Sequence, residues 1–230
     1  RLPILYCNTV GSQTEIIFDG ASLVMDGSGN LKGKLKSFEE DIQLFELERG
    51  EVKDRDTLIA FEEIPHLESD PADLNTSLNI PQIHAALVLG IRDYFQKMGF
   101  KRAIVGSSGG VDSAVTLALA VEALGPDQVE AVLMPSPYSS THSVDDAISL
   151  SKKLRNPYQL IPIDKVFSSL QETLQHRFGD LPFGLAEENM QSRIRGNILM
   201  SIANKFGFIL LNTSNKSELA TGYGTLYGDM

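Results

Sequence analysis

A short glycine-containing run between two apolar segments limits this chain to very few folds. Residues 108–113 have the sequence Ser-Gly-Gly-Val-Asp-Ser; an apolar β-type stretch precedes them at 103–105, and helix-forming residues follow from 114. This order is typical of a strand, a tight loop and a helix. Glycines let the backbone turn sharply and approach a ligand, while free amides at the helix start favour an anion. The run therefore predicts a phosphate or pyrophosphate site.

The composition of the run separates this site from other nucleotide sites. It lacks the Lys-Ser or Lys-Thr pair of a Walker A loop and the spacing of a G-x-G-x-x-G dinucleotide fingerprint. A purely structural alternative is a tight turn in which Asp112 and Ser113 only cap the next helix. That alternative accounts for the glycines and the aspartate, but it does not account for all the residues of the run.

Strand and helix patterns alternate over the C-terminal two thirds of the chain. The predicted strands are near 102–105, 129–134, 158–161 and 208–211, and the predicted helices near 80–98, 111–124, 144–154, 165–176, 187–206 and from about 216. Repeated βα units predict an α/β fold with a doubly wound parallel sheet, which binds ligands at the carboxyl ends of its strands.

The N-terminal part has a different pattern. Short β-type runs at 4–7, 15–18, 22–25 and 42–44 are separated by turns, including the turn-forming residues 26–30, and a polar, charged stretch follows to about residue 80. We expect a β-rich fragment and then a linker. Cys7 lies in an apolar run with no basic neighbour, so we expect a small buried residue rather than a nucleophile.

Charge and cysteine content exclude several classes of partner. The net charge of −10 argues against a nucleic-acid partner, because the overall field repels phosphates. A single cysteine allows no internal disulfide and predicts a reducing cytoplasm, and no run is long enough to predict a membrane span. The start at Arg1 and the abrupt end predict a piece of a longer protein.

Residues 106–113 resemble the pyrophosphate-binding loop of the N-type ATP pyrophosphatases. These enzymes cleave ATP between the α and β phosphates, adenylate an acceptor and release pyrophosphate. Two later segments, 187–196 and 211–223, are similar to those of glutamine-dependent NAD synthetases, as are residues 134–136 and 227–230. The resemblance implies ATP-dependent amidation of deamido-NAD to NAD, with Mg²⁺ and with ammonia from glutamine.

The same resemblance implies a domain organisation. Residues 8–22 are similar to the late part of a nitrilase-type amidase domain, although Thr9 and Ser12 replace the usual Gln and Gly. Residues 1–50 would be the C-terminal part of that glutamine amidase domain, 51–79 a linker, and 80–230 a C-terminally incomplete ATP pyrophosphatase domain. The amidase nucleophile would lie upstream of this chain. A homo-oligomer is also implied, since relatives bind the dinucleotide at a dimer interface.

Site residues follow from the chemistry and the resemblance together. Adenylation requires that charge on the α-phosphate and the leaving pyrophosphate be neutralised. Asp112 and Ser108 are the candidate catalytic residues, and Asp112 and Glu218 the candidate Mg²⁺ ligands. The candidate ATP-binding residues are Gly106, Ser107, Ser108, Gly109, Gly110, Val111, Asp112, Ser113, Met134 and Thr213. The resemblance places deamido-NAD near Asn189, Glu218 and Asp229.

Two alternatives to the NAD synthetase remain open. One is another ATP pyrophosphatase, such as a GMP synthetase, whose acceptor is a purine nucleotide; the segments around Asn189 and Glu218 argue against it. The other is a regulatory module that binds ATP without turnover. Release of AMP in the presence of an acceptor distinguishes an enzyme from such a module.

Overall fold

The computed structural model describes residues 2–48, 51–53 and 79–229. These residues form two compact units, of which the first ends at Tyr94 and the second begins at Phe95. The division falls inside a helix. The linker predicted for 51–79 lies outside the described residues except for 51–53 and Asn79.

Short antiparallel strands make up the N-terminal unit. Its strands are β1 (Ile4–Tyr6), β2 (Val10–Gln13), β3 (Ile16–Asp19), β4 (Leu23–Met25), β5 (Leu31–Lys34), β6 (Glu46–Glu48) and β7 (Glu51–Lys53). Strands β1, β4 and β5 form one sheet, and β2–β3 and β6–β7 each form a two-stranded pair. The predicted β-rich character is confirmed, whereas β2, β5, β6 and β7 have no counterpart among the predicted strands.

Two expectations for this unit are wrong. Residues 42–44 are not in a strand: Ile42 and Leu44 are 90% and 88% exposed, so the alternating pattern has no neighbouring sheet to bury it. Cys7 is exposed rather than buried, because β1 ends at Tyr6 and the residues of β1 are themselves exposed.

The predicted turn at 26–30 is confirmed and joins β4 to β5. Asp26 accepts hydrogen bonds from Asn30 Nδ2 (2.9 Å), Asn30 N (2.9 Å) and Ser28 N (2.8 Å). The bonds from Asn30 lower the pKa of the Asp26 carboxyl well below its ordinary value, because they stabilise the ionised form. One charged side chain thus organises the whole turn.

An α/β arrangement makes up most of the C-terminal unit, as predicted. Its elements follow helix α1 (Ile80–Met98), which begins in the first unit. They are β8 (Ala103–Gly106), α2 (Val111–Leu124), β9 (Val129–Leu133), α3 (Thr141–Leu154), β10 (Tyr158–Leu160), α4 (Asp164–Phe178), α5 (Leu185–Phe206), β11 (Ile209–Leu211) and α6 (Lys216–Thr221). Helix α3 begins three residues before its predicted start because Ser140 Oγ accepts a hydrogen bond from Ser143 N (3.1 Å) and caps it.

Helices cover both faces of a four-stranded parallel sheet of order β10-β9-β8-β11. Ile104 of β8 and Val132 of β9 face one core cluster, whose other members are Met134, Ile163, Phe167, Met190, Ile194, Leu199, Ala203 and Phe208. Alternate residues of these strands point to the opposite face, where α2 packs against β8 and β9. With both faces covered, the strand ends are where a ligand can enter.

The strand order places a crevice at one of those ends. From β8 the chain proceeds to β9 and β10 on one side, and then returns to add β11 on the other side of β8. Parallel sheets bind ligands at such a point of reversal, outside the carboxyl ends of the strands. The glycine run leaves β8 here, and Asn212 and Thr213 leave β11. None of the helices in the described part of the chain has the length and apolar character to cross a membrane.

Candidate functional site

A cleft of about 1120 Å³ opens at the carboxyl ends of β8, β9 and β11. Its walls include six of the residues predicted from sequence, namely Gly106, Ser107, Ser108, Met134, Thr213 and Asp229. The other predicted residues do not line the cleft itself, namely Gly109, Gly110, Val111, Asp112, Ser113, Asn189 and Glu218. They belong to the loop and helix ends next to it. The cleft lies wholly in the C-terminal unit.

Two serines fix the shape of the glycine loop. Ser113 Oγ accepts a hydrogen bond from Ser108 N (3.2 Å), lies 3.1 Å from Ser108 Oγ and donates to Gly110 O (3.0 Å). Ser108 Oγ in turn accepts from Gly110 N (3.2 Å). These bonds tie the two ends of the run together and define the conformation of the loop.

Helix α2 begins directly after this loop and has no side-chain cap. Its N-cap residue is Gly110, and neither Asp112 nor Ser113 bonds to the amides of the first turn. The purely structural alternative, in which these two residues cap the helix, is therefore wrong. The first-turn amides and the positive end of the helix dipole are left for an anion.

Gly109 is the position in the loop that only glycine can occupy. Its φ is +84°, in the region that side chains disfavour, and a Cβ there would clash with Ser143 O and approach Ser143 Cα to 2.8 Å. Because Ser143 belongs to the first turn of α3, the loop backbone is pressed against that helix.

One asparagine links the two candidate metal ligands. Asp112 Oδ1 accepts a hydrogen bond from Asn215 Nδ2 (3.3 Å). Asn215 also caps α6: its Oδ1 accepts from Glu218 N (3.0 Å), while Glu218 Oε2 accepts from Asn215 N (3.2 Å). This reciprocal capping box orients Glu218 towards the start of its own helix. The carboxylates that follow β8 and β11 thus share one connecting residue.

The donor set fits a substrate-completed magnesium site. Within the described ranges, no three His, Cys, Asp or Glu side chains are grouped closely enough to hold a metal ion. Mg²⁺ usually takes only one or two protein carboxylates and completes its octahedron with phosphates and water. Asp112 and Glu218 match that requirement, whereas a site built only from protein ligands is not present among these residues.

Arg195 lines the cleft but is not among the site residues predicted from the sequence. It is half-buried, lines the cleft and donates from Nε to Met134 O (3.0 Å). Burial lowers the pKa of its guanidinium, and no described carboxylate lies at ion-pairing distance. Gln191 and Leu199, four residues to either side of Arg195, are both buried, so Arg195 lies on the inner face of α5. An unpaired cation this buried is costly unless an anionic ligand joins it.

Two of the three candidate deamido-NAD residues, Asn189 and Asp229, are linked where residues 225–229 cross α5. Asn189 Oδ1 accepts from Thr225 Oγ1 (2.9 Å), and Ser192 Oγ donates to Asp229 Oδ2 (3.2 Å). The main chain of Asp229 reaches the end of β11, where its carbonyl accepts from Asn212 Nδ2 (3.1 Å). Asn189 and Asp229 are therefore joined through residues 225–229, although they are far apart in sequence, and of the two Asp229 lines the cleft. Glu218, the third candidate, lies in α6.

Comparisons with known proteins agree on one family. The family model described as NAD synthase matches residues 83–230. A glutamine-dependent NAD(+) synthetase from Synechocystis is 47% identical over all of this chain and 39% of its own length. The enzyme of the same name from Thermotoga maritima is 42% identical over all of this chain and 43% of its own. The chain thus spans about two fifths of the length of these relatives.

Solved structures show the same fold. A glutamine-dependent NAD+ synthetase from Acinetobacter baumannii, solved in complex with ADP, superposes with a TM-score of 0.86 at 40% identity. The match covers 100% of this chain and 41% of that one. An NH3-dependent NAD synthetase from Campylobacter jejuni matches 65% of this chain and 62% of its own, with a TM-score of 0.59 and 30% identity. The predicted doubly wound fold is confirmed.

Proposed function

The chain belongs to the NAD synthase family, and we propose that it amidates deamido-NAD to NAD at the expense of ATP. An oxygen of the nicotinate carboxylate attacks the α-phosphorus, the α–β phosphoanhydride bond breaks, and pyrophosphate leaves. Ammonia then attacks the adenylated carbonyl carbon and AMP leaves. The observation that carries this proposal is the internally hydrogen-bonded glycine loop, which leads into an uncapped helix N-terminus at the reversal point of the sheet.

The residues around that loop suit the leaving pyrophosphate. The amides of Gly109 and Val111 and the hydroxyl of Ser108 provide hydrogen-bond donors, and the helix dipole adds positive potential. Gly110 N and Ser113 Oγ donate within the loop and hold it in shape. Asp112 and Glu218 are the residues that would hold Mg²⁺. When bound, that ion supplies positive charge where negative charge develops on the phosphates. No side-chain nucleophile is required of the protein.

The remaining cleft residues suit the nucleoside and the acceptor. We propose that Met134, whose Cε lies 3.6 Å from the Cβ position of Gly106, packs against the adenine ring, and that Thr213 hydrogen-bonds ATP. Ser107 Oγ is buried without a hydrogen-bond partner among the described residues, which supports a polar contact with the nucleotide. Asn189, Glu218 and Asp229 would contact deamido-NAD.

The names of the relatives support glutamine as the nitrogen source. We propose that residues 1–50 are the C-terminal part of a nitrilase-type glutamine amidase domain, 51–79 a linker, and 80–230 the ATP pyrophosphatase domain. We further propose a cytoplasmic homo-oligomer with small-molecule substrates. The single cysteine suits a reducing compartment, and the net charge of −10 disfavours a nucleic-acid partner.

The reaction products test this function directly. The complete natural protein is incubated with ATP, Mg²⁺, deamido-NAD and either ammonium or glutamine, and the nucleotides are separated by chromatography. We expect NAD and AMP in equal amounts from both nitrogen sources. ADP in place of AMP would contradict adenylation, and AMP formed only with a purine nucleotide acceptor would favour a GMP synthetase. Bound ATP without any turnover would favour a regulatory module.

Arg195 should contribute strongly to nucleotide affinity. Arg195→Met keeps the long stem but removes the charge, and a charge-assisted hydrogen bond is worth about 1.5–3 kcal/mol, so the Kd for ATP should rise by roughly 10- to 150-fold. Isothermal titration calorimetry measures this change. Arg195→Lys restores the charge and should recover part of the affinity. Unchanged ATP binding in Arg195→Met would show that the cation does not face the phosphates.

A further inference from the structure

Helix α5 carries a glycine in its middle, a position where glycine destabilises a helix. Gly196 is buried within the 22-residue helix Leu185–Phe206. A glycine inside a helix costs about 0.5–1 kcal/mol relative to alanine, because it has more backbone freedom to lose. No turn or positive φ is involved at this position, since it continues the helix on both sides. We therefore expect another part of the chain to pack directly against the helix backbone at this residue.

That approach is made by the backbone of Gly228. A Cβ on Gly196 would lie 2.5 Å from Gly228 O and 3.2 Å from both Gly228 C and Cα. In the reverse direction, a Cβ on Gly228 would clash with Ser192 Oγ and lie 3.1 Å from Ser192 C. Ser192 and Gly196 are one helical turn apart on the same face of α5. Two backbones are thus in direct contact, and neither position has room for a methyl group.

Hydrogen bonds fasten residues 225–229 on either side of this contact. From α5, Ser192 Oγ donates to Asp229 Oδ2 (3.2 Å) and Arg193 Nε donates to Leu226 O (3.2 Å). Within the segment, Gly228 N and Asp229 N both donate to Thr225 O, at 3.0 and 3.2 Å. We call residues 225–229 the clamp segment.

The clamp segment forms part of the cleft wall. Tyr227, Gly228 and Asp229 line the cleft together with Ser192, Arg193 and Gly196 of α5. At its far end, Asp229 O accepts hydrogen bonds from Asn212 Nδ2 (3.1 Å) and Ser214 Oγ (3.2 Å), which follow β11. The segment therefore extends from α5 to the end of β11. Its distance from α5 sets the position of the Asp229 carboxylate.

We propose that Gly196 is a positioning residue for the dinucleotide acceptor. By allowing the clamp segment to lie directly on α5, it fixes Asp229 and the acceptor side of the cleft. This inference relies on the proposed function only for the identity of the ligand. A methyl group at residue 196 displaces the clamp segment, and a displacement of about 1 Å can cost 10²-fold in a well-oriented site.

The test is Gly196→Ala in the complete natural protein. We expect the KM for deamido-NAD to rise at least tenfold and the KM for ATP to stay within twofold, because hydrogen bonds within the glycine loop itself hold that loop in place. The melting temperature should change little, because the gain of about 1 kcal/mol from alanine in the helix offsets part of the cost of moving the clamp segment. Hydrogen–deuterium exchange at the amides of Gly228 and Asp229 should become at least tenfold faster. A purely structural role would affect both substrates alike.

Two further variants make the test decisive. Gly228→Ala adds the methyl group from the other side of the same contact and leaves the sequence of α5 unchanged. It should therefore also raise the KM for deamido-NAD and leave the KM for ATP within twofold. Gly90→Ala is the matched control: it adds a methyl group inside α1, where the nearest atom is the flexible Ile17 Cδ1 at 3.1 Å, and both KM values should stay unchanged.

Several outcomes would overturn the proposal. They are an unchanged KM for deamido-NAD in both clamp variants, equal rises for both substrates, or unchanged exchange at residues 228 and 229. If Gly196→Ala fails to fold, Gly228→Ala alone decides. If the wild-type protein forms no NAD, the proposed function fails, while the exchange comparison still decides whether Gly196 docks the clamp segment.

Discussion

Asp112→Asn is expected to lower the rate of AMP formation by roughly 10²- to 10³-fold without unfolding the protein, as losses of one charge-stabilising group at a reaction centre do. Asparagine has the same size as aspartate, and its Oδ1 can still accept the hydrogen bond from Asn215 Nδ2, now 3.3 Å long. What it loses is the negative charge that a phosphate-bound Mg²⁺ needs from the protein. The rate of AMP release at saturating substrates measures the loss, and the melting temperature checks the fold.

A matched control separates this role from an effect on the helix. Asp164 is exposed in the first turn of α4, as Asp112 is exposed in the first turn of α2, and it does not line the cleft. Asp164→Asn removes the same favourable interaction with a helix dipole and should leave turnover unchanged. Glu218→Gln preserves the capping box, since glutamine also caps, and removes only the charge. Near-normal turnover in Asp112→Asn would exclude its metal role.

Local signals made much of the C-terminal fold predictable. The bounds of α2 agree with the prediction at both ends because glycines flank it, with Gly110 before Val111 and Gly125 after Leu124. Strands β8 and β9 are recognisable as apolar runs because helices bury both faces of the sheet. Among the short N-terminal strands, β1, β3 and β4 were predicted from such runs, whereas β2, β5, β6 and β7 were not. A three-residue alternation such as 42–44 becomes a strand only if a neighbouring strand pairs with it.

The site was predictable where it depends on chain order and not where it depends on tertiary contacts. The loop at 106–113, Glu218 and Thr213 follow strand ends, and those ends meet at one edge of a parallel sheet. No sequence pattern indicates that Asn215 joins Asp112 to α6, or that Gly196 touches Gly228. Arg195 was not predicted as a site residue for a related reason, since its burial and its hydrogen bond to Met134 O arise only in the folded chain.

Gly109→Ala is expected to abolish measurable NAD formation and to weaken ATP binding at least ~100-fold, the scale of a misplaced reactive group. Two effects act together. The backbone at residue 109 has φ +84°, which costs a non-glycine residue about 1–2 kcal/mol. In addition, the new Cβ would meet the backbone of Ser143 in α3, which cannot rotate away as a side chain could. The loop must move, and its amides then no longer converge on the phosphates.

Gly125→Ala separates these two effects. Residue 125 has a similar φ of +91° at the other end of α2, but no atom lies within 4 Å of its Cβ position. It therefore carries the backbone cost alone, so thermal stability should fall while the Kd for ATP stays unchanged. If Gly109→Ala bound ATP as well as Gly125→Ala does, contact with α3 would not hold the loop in its binding conformation. A large difference between the two variants would assign that role to the first turn of α3, whose sequence gave no indication of it.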